Sequence, residues 1–221
     1  METKKIKVKL KHNHRSNSDS DMLIKTEMSF LTRKRLEKKD LVPSTKSSIL
    51  PVIQKIIAEI GGKLIVRPKI TIFGRECCQN RDVGFFSNES IGYKYSNQIM
   101  SSQELSENMI LLLEFINYEY KSNYNGILIN MYKSGEQSIG AHSDDETTLD
   151  KNGVIALSYG AERKFRIRDK KTKKIYMDIP LEHLSIIQMG GQFQKEFTHE
   201  VPVEKKVKEC RISFTFRKHL I

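Results

Sequence analysis

A histidine and an aspartate two positions apart are the residues whose types and spacing best suit metal chemistry. They follow an alternating stretch, 126–132, that predicts a β-strand, and a Ser134-Gly135 turn. In an extended segment His142 and Asp144 point to the same face, about 6.6 Å apart along the chain. An imidazole and a carboxylate side by side can occupy two neighbouring positions around a metal ion. A second histidine from another strand would complete a facial triad that leaves coordination positions open.

Near its end the chain contains its clearest alternation, residues 211–217. Arg211, Ser213, Thr215 and Arg217 share one face of the predicted strand, and the other face is apolar. If the polar face lines a pocket, its two guanidinium groups and two hydroxyls form a clamp for a dianion, because a planar guanidinium pairs with a carboxylate through two hydrogen bonds. A dicarboxylate such as 2-oxoglutarate fits, with one end on a metal ion and the other on an arginine. The alternative is a solvated face without a ligand.

The elements that must position these groups are mostly short strands. Asn130 and Tyr132 lie on the same face of strand 126–132 and can donate further hydrogen bonds to a dianion. Further short strands are predicted at 154–159, 163–168, 174–179 and 184–189. Strands at this spacing are typical of a sandwich or a barrel.

The helices are predicted in the first half of the chain. An apolar stretch at 48–60 that ends at two glycines predicts one helix. Ser101 and Glu104 have the spacing of a capping box, which predicts a second helix that begins there and runs to about residue 120. The stretch 77–90 between them is predicted to be irregular.

Residues 1–45 are predicted to form a basic, poorly ordered tail, and 46–221 the folded domain. Lysines and one arginine dominate the first fifteen residues, a composition that resists packing into a core. Within this tail, residues 22–39 could form a helix.

The composition limits the classes of protein to consider. The 221-residue chain has a net charge of +11, which favours a polyanionic partner such as nucleic acid. A lysine-rich solvated surface is the alternative. No apolar run approaches the roughly 18 residues that span a bilayer, so no membrane association is expected. The three cysteines show no disulfide or metal-binding spacing, which indicates free thiols in a reducing intracellular compartment, the nucleus or the cytoplasm.

Taken together in order, these motifs resemble the AlkB family of Fe(II)- and 2-oxoglutarate-dependent dioxygenases. The matching pieces span roughly residues 123–218: Asn130-x-Tyr132, His142-x-Asp144 followed by Asp145-Glu146, Ser158-x-Gly160, Arg163-x-Phe165, His199 ahead of Pro202, and Arg211-x-Ser213-x-Thr215-Phe216-Arg217. Upstream, three pieces resemble the nucleotide-recognition lid of members that act on duplex DNA: Ile72-Phe73-Gly74, Arg81 and Tyr93-x-Tyr95-Ser96. The ordered set is far more specific than any one motif.

The resemblance implies an α+β, mainly β fold with a double-stranded β-helix (jelly-roll) core at about 123–218, N-terminal helices and a lid at about 70–100. It implies Fe(II) bound by His142, Asp144 and His199. It also implies a set of residues around 2-oxoglutarate: Arg211 on the distal carboxylate, Asn130, Tyr132 and Arg217 near the other end, and Ser213 and Thr215 on the same face. Ser213 stands where the family usually has Asn, which predicts weaker cosubstrate binding.

The implied activity is oxidative demethylation of N-alkylated bases in DNA, of the 1-methyladenine and 3-methylcytosine type, with Fe(II), 2-oxoglutarate and O2. The substrate base must leave the duplex stack. The residues expected to contact the nucleic acid are Phe73 as a wedge, Arg81, Tyr93, Tyr95 as a stacking platform, and Asp145 and Glu146 facing a cationic base. The alternatives are an RNA demethylase or protein hydroxylase of the same class, and a non-catalytic nucleic-acid-binding module. A monomer is expected.

Overall fold

The fold is given by a computed structural model that describes residues 21–36, 49–72, 74–95, 98–144 and 153–219. Its strands are β1 (Asp21–Lys25), β2 (Ser29–Arg35), β3 (Lys69–Ile72), β4 (Arg75–Cys78), β5 (Asp82–Phe86), β6 (Gly92–Tyr95), β7 (Gln98–Ser101), β8 (Gly126–Tyr132), β9 (Ile139–His142), β10 (Val154–Gly160), β11 (Arg163–Asp169), β12 (Ile175–Leu181), β13 (Ser185–Gly191), β14 (Phe197–Val201) and β15 (Arg211–Arg217). Its helices are α1 (Ile49–Glu59), α2 (Glu107–Tyr120) and the short α3 (Phe193–Glu196), with a 3-10 turn at Ile60–Gly62.

Two antiparallel sheets form the core. The large sheet has the strand order β1-β2-β13-β10-β15-β8-β5, and the small sheet has the order β12-β11-β14-β9. Apolar side chains of both sheets meet in one buried cluster, in which Val154 and Met189 of the large sheet join Phe165 and Val201 of the small sheet. The predicted double-stranded β-helix with a mainly β composition is confirmed.

Both helices of the first half cover the other face of the large sheet. Ile53 and Ile56 of α1 and Leu112 of α2 are fully buried in a second cluster, together with Phe214 and Phe216 of β15. This cluster explains the alternation of β15: its apolar face meets the helices, so its polar face must point between the sheets. In the described part of the chain, no helix is long and apolar enough to cross a membrane.

The cap of α2 differs from the prediction. The N-cap is Ser106, whose hydroxyl accepts a hydrogen bond from the Met109 backbone N–H. The capping box predicted at Ser101 and Glu104 is wrong, because Ser101 is the last residue of β7. Ser101 and Ser106 are both residues that favour an N-cap. Because β7 extends through Ser101, the helix can begin only after it, at Ser106.

The helix predicted within residues 22–39 is also wrong, because residues 21–35 form β1 and β2. β2 pairs with β13 along its whole length, from Ser29 opposite Gly191 to Arg35 opposite Ser185. Leu31 is fully buried by this pairing. The predicted tail at 1–45 is therefore wrong for these fifteen residues, whereas residues 1–20 and 37–48 lie outside the described part.

A second correction concerns the stretch 77–90, predicted to be irregular. It contains the end of β4 and the whole of β5, and every residue of β5 is buried. β5 pairs with β8 at the edge of the large sheet. A strand covered on both faces has no alternation of polar and apolar residues, which explains why the pattern was missed. Two hairpins, β3–β4 and β6–β7, form separate two-stranded sheets that do not belong to the two large ones.

Candidate active site

The strongest candidate site is a cluster of three side chains between the sheets. His142 ends β9, His199 lies opposite it on β14, and Asp144 follows β9. The His142 Nε2 atom is 3.8 Å from one Asp144 carboxylate oxygen, and the His199 Nε2 atom is 3.6 Å from the other. One ligand atom from each residue lies within 4.8 Å of the others, so the three can surround a single metal ion. Two histidines and one carboxylate form the facial triad typical of non-haem iron oxygenases.

A backbone contact orients His142. Its Nδ1–H donates to the carbonyl of Gly140 at 2.9 Å, which leaves Nε2, the atom near Asp144, free to bind a metal. An outer hydrogen bond of this kind fixes the tautomer and the ring orientation of a metal-binding histidine.

Asp144 is held from two sides, although it lies beyond the end of β9. Its carboxylate accepts a hydrogen bond from Arg217 Nη2 at 2.7 Å, and its backbone N–H donates to the side-chain oxygen of Gln194 on α3 at 2.9 Å. Gln194 was missed in the sequence, where nothing links it to a residue 50 positions away. Together these two contacts fix the position of Asp144, which lies outside the paired strands.

The protonation states of the cluster suit metal binding. Burial, together with the neighbouring His142, lowers the pKa of His199 to about 3. Burial also lowers the pKa of His142. For Asp144, burial raises the pKa, but Arg217 and the two histidines outweigh this effect and the pKa is lowered. Near neutral pH the site therefore presents two neutral imidazoles and one carboxylate, the forms that bind metal ions.

Two buried arginines near this cluster differ in how the protein satisfies them. Arg163 is 1% exposed, and its guanidinium donates to Glu204 and to the backbone carbonyls of Ser134, Gln137 and Pro202.

Arg211 is 2% exposed, and one of its nitrogens donates to the Ser158 hydroxyl at 3.0 Å. Its Nε and Nη1 have no hydrogen-bond partner among the described residues. Burial lowers the pKa of Arg211, as expected for a cation without a carboxylate beside it. A buried guanidinium with unused donors fits an anionic ligand, and a carboxylate matches its geometry.

The other residues predicted around 2-oxoglutarate line the same cavity. These are Asn130, Tyr132, Ser213, Thr215 and Arg217. The Tyr132 ring lies close to both buried arginines, with its centroid 5.4 Å from the Arg211 guanidinium carbon and 5.8 Å from that of Arg163. The Asn130 side-chain oxygen accepts a hydrogen bond from Arg81 Nε at 2.6 Å. Arg217 contacts Asp144, as described above, and its contact with 2-oxoglutarate stays a prediction.

The predicted substrate residues divide into two groups. Arg81 and Tyr93 are buried and line the cavity, and the Arg217 guanidinium carbon lies 4.9 Å from the centroid of the Tyr93 ring. Phe73, Asp145 and Glu146 lie outside the described residues. Tyr95 belongs to β6, but its side chain lies outside the described part.

Comparison with known proteins identifies the family of this chain. Residues 54–217 match the family model of the 2OG-Fe(II) oxygenase superfamily. The chain is 27% identical over 178 residues to the DNA oxidative demethylase ALKBH2 of Arabidopsis thaliana, which covers 68% of this chain and 57% of the relative. It is 29% identical over 161 residues to human ALKBH2, covering 69% and 62% of the two chains. The alpha-ketoglutarate-dependent dioxygenase alkB homolog 3 of Bos taurus is 34% identical over 135 residues, covering 57% and 47%.

The matched region therefore spans about half to three fifths of the length of these relatives. The solved structure of OsALKBH1 has the same fold, with a TM-score of 0.56, 15% identity, and coverage of 88% of this chain and 100% of that chain. The family match accounts for the His-Asp-His cluster, because Fe(II) and 2-oxoglutarate are the metal and cosubstrate that give the superfamily its description. The chain is an AlkB-like member of the 2OG-Fe(II) oxygenase superfamily.

Proposed function

We propose that this protein demethylates N-alkylated bases in DNA, of the 1-methyladenine and 3-methylcytosine type, as a direct-reversal repair enzyme. The observation that carries the proposal is the His-Asp-His cluster in the same cavity as Arg211, whose buried guanidinium has unused donors. The relatives named DNA oxidative demethylase supply the substrate class. When bound, Fe(II) and 2-oxoglutarate together use O2 to oxidise the N-methyl carbon, which leaves as formaldehyde.

Different residues of the cavity would bind the iron, bind 2-oxoglutarate and hold the metal ligands in position. His142, Asp144 and His199 would hold the iron, and Arg211 would pair with the far carboxylate of 2-oxoglutarate. Arg217 keeps Asp144 anionic and in place, since the two side chains form a buried ion pair. The apolar walls from both sheets exclude water, which strengthens each of these electrostatic contacts.

The nucleic-acid partner is supported by charge and by the residues around the cavity. A net charge of +11 draws the chain to a polyanion. A base inside a duplex cannot reach a buried site, so it must rotate out of the stack. Tyr93 lines the cavity and offers an aromatic ring to such a base. The roles predicted for Phe73 as a wedge, for Tyr95 as a stacking platform, and for Asp145 and Glu146 near a cationic base are part of the proposal.

The compartment is part of the same proposal. The nucleus or the cytoplasm suits an enzyme that repairs DNA. The thiols of Cys77, Cys78 and Cys210 are free and exposed, a state that a reducing compartment maintains.

The test has two stages. Anaerobic titration with Fe(II) and then 2-oxoglutarate should show one binding event for each. Aerobic incubation with oligonucleotides that carry 1-methyladenine should then release formaldehyde from single-stranded and double-stranded DNA. His142→Ala should abolish both iron binding and turnover. His183→Ala is the matched control, because this histidine accepts a hydrogen bond from the Gly160 N–H and lies outside the cavity.

The outcomes separate the proposal from its alternatives. Turnover of methylated RNA but not of DNA would indicate an RNA demethylase. Binding of both cofactors with uncoupled oxidation of 2-oxoglutarate, and no reaction with either nucleic acid, would favour a protein hydroxylase. Nucleic-acid binding without any iron binding would leave a non-catalytic module.

A further inference from the structure

The short helix α3 connects the metal site to a part of the chain that the family match leaves without a role. Gln194 of α3 accepts a hydrogen bond from the Asp144 backbone N–H at 2.9 Å. The β1–β2 hairpin, residues 21–35, also contacts α3, although it lies outside the stretch 54–217 that matches the family model. The contacts that hold α3 in place therefore bear on the position of a metal ligand.

The turn of this hairpin is hydrogen-bonded to both ends of α3. The Thr26 hydroxyl donates to the carboxylate of Glu196, the last residue of α3, at 2.8 Å. The backbone N–H of Gln192, the residue before α3, donates to the Met28 carbonyl at 2.8 Å. Contacts at opposite ends of so short a helix fix both its position and its direction.

The Thr26 hydroxyl also shapes the turn that carries it. Its oxygen accepts hydrogen bonds from the backbone N–H groups of Met28 at 3.2 Å and Ser29 at 2.9 Å. A hydroxyl has one hydrogen to donate, and here that hydrogen goes to Glu196. Because the acceptor is a carboxylate, this hydrogen bond is stronger than one between neutral groups.

Close packing adds to these hydrogen bonds. Gly190 and Gly191 end β13, directly before α3, and Gly191 has a φ of +65°. An added Cβ atom would overlap the Phe30 ring at Gly190 and the Met28 carbonyl at Gly191. Phe193 of α3 is fully buried in the cluster between the sheets. Since a close-packed interior transmits small displacements, a shift of the hairpin would move α3 with it.

We propose that the β1–β2 hairpin is a positioning element of the metal site, in which Thr26 acts through Glu196 and α3 on the contact between Gln194 and Asp144. This inference rests on metal binding by the His-Asp-His cluster, which belongs to the proposed function, and it does not depend on the substrate. Neither Thr26 nor Glu196 is among the residues that line the metal cavity. Their effect on the metal must therefore pass through α3.

The experiment measures Co(II) affinity of the full chain by titration calorimetry, with the Co(II) absorption spectrum as a report on ligand geometry. Thr26→Val removes the hydroxyl at nearly constant size. We expect about a three- to tenfold loss of affinity and a changed spectrum, less than the roughly 10- to 100-fold loss typical of a direct contact to a ligand. The loss is partial because Lys170 also holds the backbone of α3. Thr26→Ser keeps the hydroxyl and should restore the native values.

Thr32→Val is the matched control, because it makes the same change in the same hairpin. Thr32 lies on β2 opposite Gln188 of β13, not in the turn that contacts α3. A double-mutant cycle of Thr26→Val with Glu196→Leu checks the route. Both substitutions break the same contact, so the double variant should lose no more affinity than the weaker-binding single variant.

The outcomes separate this role from its basis. Failure of the native protein to bind Co(II) would remove the proposed function itself. Native affinity and spectrum in folded Thr26→Val, or an equal loss in Thr32→Val, would overturn the role of the hairpin alone. Additive losses in the double variant would overturn it too. If Thr26→Val fails to fold by thermal unfolding, Glu196→Leu breaks the same contact from the side of α3 and decides the question.

Discussion

At the scale of single residues, Arg211 and Arg163 are matched in type and burial and differ in their partners. Four protein groups accept hydrogen bonds from Arg163, whereas Arg211 donates to the Ser158 hydroxyl and its Nε and Nη1 have no hydrogen-bond partner among the described residues. A buried charge that the protein satisfies supports the fold, and one that it leaves unsatisfied costs stability until a ligand binds. The two side chains should therefore respond in opposite ways to the same substitution.

We predict that Arg211→Met leaves the cofactor-free protein as stable as the native protein or more stable, and weakens 2-oxoglutarate binding by about a hundredfold, as loss of charged hydrogen bonds does. Arg163→Met should lower the free energy of unfolding by about 3–5 kcal/mol, because it leaves Glu204 without its buried partner. Urea unfolding with and without 2-oxoglutarate measures both effects. A stability loss in Arg211→Met equal to that in Arg163→Met would place the anion clamp elsewhere.

Gln194 gives a second test at this scale, because it fixes the backbone of Asp144 without touching the metal site directly. We predict that Gln194→Leu weakens metal binding by about 10- to 100-fold, the usual effect of losing an outer contact to a ligand. Gln194→Glu keeps the acceptor and should retain more of the affinity. The measurement is Co(II) affinity by titration calorimetry, with the Co(II) absorption spectrum as a report on ligand geometry.

Gln192→Leu is the control for that experiment. Gln192 precedes α3, two residues from Gln194, and its side chain makes no capping hydrogen bond. The same Co(II) affinity and spectrum in Gln194→Leu and Gln192→Leu would show that Asp144 keeps its position without Gln194.

At the scale of elements, the end of β15 shows how a strand can place a titratable group in the core. His219 follows β15 by two residues, and its ring packs 4.6 Å from Phe85 and 6.2 Å from Tyr93, measured between centroids. No pattern in the sequence predicts burial of His219, yet it is 2% exposed. Burial, together with the nearby charge of Arg217, lowers its pKa to about 4.

This histidine predicts a loss of stability in acid. The unfolded chain takes up a proton below about pH 6.5, whereas folded His219 stays neutral until about pH 4. The protein should therefore lose up to roughly 3 kcal/mol of unfolding free energy between pH 6.5 and 4, and none of this loss above pH 6.5. Urea unfolding at pH 7 and pH 4.5 should show a smaller acid loss for His219→Leu than for the native protein. Equal losses would show that His219 titrates normally.

At the scale of the whole molecule, the N-terminal region combines a charged segment with two strands of the large sheet. Residues 1–20 carry five lysines, one arginine and two acidic residues. β1 and β2 follow, and β2 covers the edge of β13. Deletion of residues 1–20 should remove only electrostatic affinity, whereas deletion of residues 1–35 should also expose β13 and the cluster around Leu31.

We predict that deletion of residues 1–20 makes the slope of log affinity for DNA against log salt concentration less steep by at most about 5, because at most six cationic side chains that could contact phosphates are lost. The urea unfolding curve should stay unchanged. Deletion of residues 1–35 should give a protein that unfolds at lower urea concentration. DNA binding across a salt series and urea unfolding measure the two effects. An unchanged salt slope after the shorter deletion would mean that these cations do not contact DNA.

The sequence by itself determined the features that depend on local pattern. The alternation along residues 211–217 assigned each side chain of β15 to its face, because a strand has a period of two residues. The spacing of His142 and Asp144 indicated two metal ligands, and the resemblance to the AlkB family supplied His199 as the third. Helix α1 followed from its apolar pattern and the glycines that end it.

Only the tertiary structure decided which distant groups meet. Asp144 pairs with Arg217 across 73 positions and with Gln194 across 50, and Arg81 meets Asn130 across 49. The strands β1, β2 and β5 likewise depend on partners far along the chain. These contacts depend on the order and register of strands, and a shift of one residue would turn each side chain to the opposite face. Local patterns constrain neither the strand order nor the register. The free energy that sets both comes from burying the two sheets against each other.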